Sequence, residues 1–118
     1  MFDLCAGSGC LGLSIAKRRP DAEVFLLEKS EAAFAYLRRN ADRIAPANTH
    51  LQLGDLMDGF QSFDFPAPQV IVSNPAYIRS AEISGLQREV RHEPRMALDG
   101  GEDGLLFYRV LAERWFPP

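Results

Sequence analysis

The sequence has few of the features that mark a secreted, membrane-bound or metal-dependent chain. It holds only two cysteines, Cys5 and Cys10, and shows neither a signal-peptide pattern nor a cysteine-dense scaffold. Reduced thiols in a cytoplasmic protein are therefore expected. No apolar run approaches the ~20 residues that span a bilayer, so no membrane partner is expected. His50 and His92 are isolated, which leaves too few ligands at suitable spacing for a metal site. An excess of positive charge is also missing, since the net charge is -3. Arg38, Arg39 and Arg43 share one expected helix with Glu31 and Asp42, the pattern of a solvated face rather than a basic stripe. Direct binding to nucleic acid is not expected. There is no internal repeat or low-complexity segment, and nothing in the sequence sets an oligomeric state.

What is present is an alternation of short β-rich runs with helical segments, in a length that suits one small domain. A strand at residues 2 to 5 runs directly into Ala6-Gly7-Ser8-Gly9. A helix is expected over residues 10 to 19, with Leu11 and Ile15 on its inner face and Lys17, Arg18 and Arg19 at its negative end. Val24-Phe25-Leu26-Leu27 is a continuous apolar run, as in a strand covered on both faces. Ser30 is a good N-cap for a helix to about residue 43, with Ala33, Leu37 and Ala41 as its inner stripe. Thr49 begins a third strand, and Val70-Ile71-Val72-Ser73 forms a fourth, entered from a turn containing Pro66 and Pro68. A last helix is expected over residues 102 to 115, with Leu105, Tyr108, Ala112 and Trp115 on one side, before Pro117-Pro118 closes the chain. Strand, helix, strand, helix, strand in this order predicts right-handed crossovers and a mainly parallel α/β sheet of about four strands with flanking helices.

Three strand ends carry groups suited to a nucleoside ligand. Gly7 and Gly9 permit a sharp turn and close approach of a ligand, and the amides that open the following helix favour ligand oxygens. Glu28 ends the second strand at about the 20-residue spacing of a carboxylate that grips two ribose hydroxyls. Gly54-Asp55 ends the third, where a carboxylate can accept from an adenine amino group. Ligands of open parallel sheets sit beyond the carboxyl ends of the strands, so the three features point to one crevice. The string Gly7-Ser8-Gly9-Cys10-Leu11-Gly12 also satisfies the dinucleotide fingerprint, so the glycines alone leave NAD and S-adenosylmethionine both open.

The fourth strand separates them. Ser73-Asn74-Pro75-Ala76-Tyr77 follows it directly. A planar amide or amine nitrogen is a poor nucleophile because its lone pair is delocalised. Hydrogen bonds accepted by the Asn74 side-chain oxygen and the Pro75 carbonyl would turn that lone pair toward a methyl donor. Pro75 stiffens the turn, and Tyr77 can stack on the planar group.

On these residues the chain resembles the class I S-adenosylmethionine-dependent methyltransferases. Within them it is most similar to the glutamine N5-methyltransferases that modify the Gly-Gly-Gln loop of peptide chain release factors. The resemblance rests on Asp3-Leu4 with Gly7-Ser8-Gly9, on Glu28, on Gly54-Asp55-Leu56 and on Val72-Ser73-Asn74-Pro75-Ala76-Tyr77-Ile78. It extends along the distal stretch from Glu89 through Asp99-Gly100-Gly101-Glu102-Asp103-Gly104-Leu105. It implies a Rossmann-like fold in which Cys5, Ala6, Gly7, Ser8 and Gly9 contact the methionine part of S-adenosylmethionine. It further implies Glu28 on the ribose, Asp55 with Leu56 at the adenine, and Asn74, Pro75, Ala76 and Tyr77 around the substrate glutamine, with a release factor as protein partner.

The chain departs from the family pattern in four places. Ala76 replaces the second proline of Asn-Pro-Pro-Tyr, which is expected to loosen the loop. Cys5 and Ala6 stand where Gly and Thr are common, and Glu28 stands where Asp is common. The family also has a helical substrate-recognition domain before the first strand and further strands after the last helix seen here. The 118 residues are therefore expected to be a partial catalytic domain, truncated at both ends. Three alternatives share these motifs: a ribosomal-protein glutamine methyltransferase, a nucleic-acid amino-methyltransferase and an inactive remnant.

Overall fold

The computed structural model describes residues 1–86 and 88–116; the closing Pro117-Pro118 lies outside the described residues. The chain forms two compact units, Met1–Asn74 and a second that begins at Pro75. In the first, β1 (Phe2–Leu4), β2 (Val24–Glu28), β3 (Thr49–Leu53) and β4 (Ile71–Ser73) make one sheet in the order β3-β2-β1-β4. Every pairing is parallel, as the strand–helix–strand order predicts. The chain steps outward from β1 to β2 to β3, then returns to lay β4 on the other side of β1. The strand order therefore reverses at β1, which is where sheets of this kind bind ligands. β4 is one residue shorter than expected, although the Val70 carbonyl still accepts from the Phe2 amide at 2.9 Å.

Two helices pack on one face of the sheet, α1 (Cys10–Arg18) and α2 (Glu31–Ile44). The N-cap of α2 is Ser30, whose hydroxyl accepts from the Ala33 amide, as expected from the sequence. The core between helices and sheet is Leu13, Ala16, Val24, Leu26 and Leu37. Leu37 lies on the stripe expected for α2, with Ala33 and Ala41 half-buried beside it. On α1 the expectation fails. Gly12, Leu13 and Ala16 face inward, while Leu11 is 46% exposed and Ile15 only half-buried. The cause is the bare backbone of Gly12. A Cβ there would stand 2.6 Å from Leu26 Cδ2 and 2.7 Å from Asp3 Oδ2, so the helix rests on the sheet at that position and turns Leu11 out.

The other face of the sheet carries an aromatic cluster that no periodicity in the sequence announces. After β3 the chain makes two short 3-10 turns, Leu56–Asp58 and Phe60–Ser62, and folds back over the sheet. Phe2 meets Phe25, Phe60 and Phe65 at centroid distances of 5.8, 6.1 and 5.1 Å, and Phe25 stacks on His50 at 4.4 Å. Phe2, Val24, Leu26 and Leu27 are all fully buried, so β1 and β2 are covered on both faces.

The second unit contains a 3-10 turn at Ser80–Gly85, then α3 (Arg88–Arg91), α4 (Arg95–Leu98) and α5 (Leu106–Arg114). The last helix is shorter than expected, because residues 102 to 105 form a turn in which Asp103 accepts from the Leu105 amide. Its buried positions are Val110 and the adjacent Trp115. Leu105, Tyr108 and Ala112, expected on the inner side, are exposed.

One long-range contact closes the sheet–helix layer. The Asn48 side-chain amide, just before β3, donates to the carbonyls of Ala16, Arg19 and Ala22 at 3.0, 3.0 and 2.6 Å. It caps the carboxyl end of α1 from 26 or more residues away. Asn48→Ala is expected to cost about 1–3 kcal/mol, because it strips the donor from carbonyls that are partly out of water. Urea unfolding is the measurement, and a loss within about 0.5 kcal/mol, the range of a neutral surface change, would show that water replaces the cap.

Candidate functional site

The glycine turn lies past the carboxyl end of β1, at the reversal of strand order. Cys5 leaves the strand at φ 64, followed by Gly7 at φ 59 and Gly9 at φ 86. The Ala6 amide donates to the Leu27 carbonyl and the Gly9 amide to the Ala6 carbonyl, both at 2.9 Å, which folds the turn tightly before α1 begins. Gly9 leaves no room for a side chain, since a Cβ would stand 2.4 Å from Leu37 Cδ1. Gly7 is different: a Cβ there would meet nothing within 4 Å, so its face of the turn is open. Asn40 of α2 pins the turn from outside by donating to the Ser8 carbonyl at 2.9 Å.

The positive φ of Cys5 gives a physical reason why glycine is common at this position in the family it resembles. A Cβ in the left-handed region costs about 1–2 kcal/mol. Burial, reinforced by the Glu28 charge, pushes the Cys5 thiol up to about 11, and a hydrogen bond with Ser73 only partly offsets this. At neutral pH it is a protonated filler of the turn, not a nucleophile.

The two acids singled out from the sequence sit at the ends of β2 and β3 and are already engaged. Glu28 Oε1 accepts from the Gly7 amide and Oε2 from the Ser30 amide, both at 2.8 Å. One carboxylate thus ties the glycine turn to the start of α2, and each oxygen keeps a further lone pair. Asp55 Oδ1 accepts from the Met57 amide at 2.9 Å, and Oδ2 pairs with Lys29 Nζ at 3.0 Å. Leu56 is buried behind it. Asn74 follows β4 directly and is exposed; Ser73 just before it donates its hydroxyl to the Leu4 carbonyl at 2.7 Å. The ends of β1 and β4 are therefore in register, with Leu4 opposite Ser73. Cys5 to Gly9, Glu28, Asp55 and Asn74 all lie at the carboxyl ends of the four strands. In the second unit Pro75 and Ala76 are buried, while Tyr77 is 59% exposed.

Asp3, in the sequence only one member of the Asp3-Leu4 motif, has a structural role of its own. It is the one buried acid among the described residues, 2% exposed, and its Oδ2 accepts from the Gly12 amide at 2.9 Å. Burial raises its carboxyl to about 6; the Gly12 amide opposes that and the Glu28 charge adds to it. The signal in the sequence was an acid between Phe2 and Leu4 in a strand otherwise apolar. Among the described residues no group of three or more His, Cys, Asp or Glu is arranged to hold a metal ion.

The architecture is that of the class I methyltransferases. The glycopeptide N-methyltransferase MtfA, solved with sinefungin, matches with a TM-score of 0.55 at 21% identity over 98% of this chain and 39% of its own. An rRNA methylase from Streptococcus thermophilus matches with a TM-score of 0.55 at 16% identity, over 92% of this chain and 70% of its own. At such identities the likeness speaks for the fold alone. The sequence profile of the Methyltransferase small domain family matches residues 1–105, and the chain belongs to that family.

Its relatives include the release factor glutamine methyltransferase of Geobacter sulfurreducens, 46% identical over 94% of this chain and 38% of the relative. That of Thermodesulfovibrio yellowstonii is 41% identical over 96% of this chain and 40% of its own length. The ribosomal protein uL3 glutamine methyltransferase of Burkholderia pseudomallei is 36% identical over 98% of this chain and 40% of its own. The chain thus spans well under half the length of the curated relatives it matches.

The raised carboxyl of Asp3 makes a testable link to stability. Between the ordinary carboxylate range and about pH 6, the folded chain holds a proton that the unfolded chain has released, so stability falls as pH rises through that window. A shift from 3.8 to about 6 corresponds to about 3 kcal/mol, fully lost above pH 6. Asp3→Asn keeps an acceptor for Gly12 without the charge. Its stability relative to the parent is expected to climb between pH 4 and pH 7 in urea titrations, and a flat difference would refute the assignment.

Proposed function

We propose that this chain is the cofactor-binding and catalytic part of an enzyme that methylates the side-chain amide nitrogen of a glutamine. The substrate we infer is the Gly-Gly-Gln loop of a peptide chain release factor. The observation that carries the reading is the alignment of an open glycine turn, two carboxylates and Asn74 at the carboxyl ends of four parallel strands. The names of the relatives at 41–46% identity support this choice of substrate class. The residues fit S-adenosylmethionine, the species or its analogue held by solved neighbours of the same fold. Gly7 leaves open space beside the turn, and Glu28 and Asp55 supply carboxylate acceptors at the next two strand ends.

In this reading Cys5 to Gly9 hold the methionine part through backbone groups. Glu28 takes the ribose hydroxyls on its remaining lone pairs, and Asp55 with Leu56 borders the adenine. When bound, the cofactor would supply a methyl group on a sulfonium: the amide nitrogen would take the methyl as the C–S electron pair stays on sulfur, and its lost proton would pass to solvent. Asn74 Oδ1 and the Pro75 carbonyl accept one N–H each and turn the nitrogen lone pair out of conjugation. Tyr77, exposed, covers the flat face of the amide. Orientation supplies most of the rate gain, since the methyl donor is already electrophilic.

The domain reading goes with this: residues 1–118 act as the catalytic domain, and recognition of the protein substrate is supplied by other parts of the polypeptide. A cytoplasmic site of action follows from a translation-linked substrate. Among the described residues no helix is long and apolar enough to cross a membrane.

Two substitutions separate binding from chemistry. Glu28→Ala is expected to weaken S-adenosylmethionine binding by about ten- to a hundredfold, the worth of a charge-assisted hydrogen bond. Unchanged affinity by calorimetry would remove Glu28 from the cofactor site. Asn74→Ala, in the whole polypeptide that carries these residues, should leave that affinity within a few-fold and cut methyl transfer by about 10²–10³. The assay follows labelled methyl into a release factor, with a Gln→Glu loop variant as the blank and ribosomal protein uL3 as the competing acceptor. Retention of more than about a third of the rate would return Asn74 to the role of a turn residue.

A further inference from the structure

The distal stretch that follows α4 is built around the backbone of the acceptor segment, entirely within the second unit. The Ile78 amide donates to the Leu98 carbonyl at 3.0 Å, the Gly100 amide to the Ile78 carbonyl at 2.8 Å, and the Ser80 amide to the Gly101 carbonyl at 2.9 Å. These bonds make a parallel bridge between Ile78 and Asp99. Two glycines press against the residues just before it. A Cβ on Gly100 would stand 2.7 Å from Tyr77 Cα and 2.9 Å from the Ala76 carbonyl oxygen. One on Gly104 would stand 2.5 Å from the Tyr77 carbonyl oxygen, at a φ of +77 that side chains rarely adopt.

Asp99 ties the arrangement together. Its Oδ1 accepts from the Ser80 hydroxyl at 2.5 Å and the Gly101 amide at 3.0 Å, and its Oδ2 accepts from Arg95 Nε at 3.2 Å. Asp103, paired with Arg109, fixes the far end of the stretch to α5, whose first amide donates to the Gly100 carbonyl at 3.1 Å.

We infer that Asp99, Gly100 and Gly104 are positioning residues for the acceptor segment: the two glycines let the distal stretch seat against the Ala76–Tyr77 backbone, and Asp99 locks that seat through Ser80. The inference rests on the functional reading above, in which the Pro75 carbonyl and the Tyr77 ring hold the substrate amide. It also accounts for Ala76. A second proline would stiffen this segment from within, whereas here it is buried and held from behind by backbone contacts. The contacts fall on the Ala76 carbonyl and the Tyr77 backbone, so a displacement of the seat moves Tyr77.

The test uses the whole polypeptide for activity and a spectroscopic readout that needs no activity. Gly104→Ala and Asp99→Ala are expected to lower kcat at saturating acceptor by tenfold or more, with S-adenosylmethionine affinity within twofold. Asp99→Asn, which keeps the acceptor for Ser80 and Gly101, should retain most of the rate. Gly85→Ala, whose added methyl meets open space in the same unit, should match the parent. In parallel, the chain is labelled with fluorotyrosine; it has three tyrosines, and Tyr77→Phe assigns the Tyr77 resonance. That resonance should shift in Gly104→Ala and Asp99→Ala and stay put in Gly85→Ala. Should Gly104→Ala fail to fold, Ser80→Ala decides in its place, with a shifted Tyr77 resonance and a lowered kcat expected. An unmoved Tyr77 resonance with unchanged kcat overturns the inference. A parent that methylates neither acceptor overturns the functional reading instead, and the tyrosine resonance then decides the positioning role by itself.

Discussion

The hydrogen bond from the Gly12 amide to the buried carboxylate of Asp3 is the constraint around which the first unit is organised. A charged or half-charged group this deep is tolerated only when it is hydrogen-bonded, and the donor here belongs to the first turn of a helix. The bond fixes where α1 sits along β1. It requires the helix to come so close that only a residue without a side chain fits at position 12. The turn between strand and helix then has just Cys5 to Gly9 in which to reverse direction, and three of its residues adopt positive φ to do so. The open face at Gly7, where a ligand can approach, is a consequence of that short connection.

Glu28 repeats the device at the next strand end. Its two oxygens hold the Gly7 and Ser30 amides, so the carboxylate that the functional reading assigns to a ribose also shapes the turn beside it. Glutamate has one methylene more than the aspartate common at this position. The extra length matters less as a departure once the side chain is seen to bridge two backbone amides from adjacent strand ends.

The elements that could be read from the sequence were those with local causes. Ser30 is an N-cap because of its own hydroxyl, and the run from Val24 to Leu27 is a buried strand because every residue in it is apolar. The strand ends that carry Glu28, Asp55 and Asn74 followed from the same local patterns. The misreadings had distant causes. Leu11 and Ile15 make a proper helical stripe, but the close approach at Gly12 selects Leu13 and Ala16 as the inner face. The cover of the second sheet face by Phe60 and Phe65 depends on a connection without periodicity. The last helix starts later than its pattern suggests, because Gly104 packs on Tyr77, 27 residues earlier in the chain, and holds residues 102 to 105 in a turn. The importance of Asp3 comes from its depth, which a single sequence does not display.

The Asn48 cap bears on how the first unit assembles. A helix of nine residues is too short to persist alone in water, where ~12–15 residues are marginal even for good formers. The carboxyl end of α1 is completed by a side chain that reaches it only when the chain has passed through β2 and α2 and turned toward β3. The cap of α1 is therefore complete only when the start of β3 is in place. The contact spans some 30 residues of chain, so its formation carries the closure entropy of a non-local loop, a cost that a contact within one helix does not have.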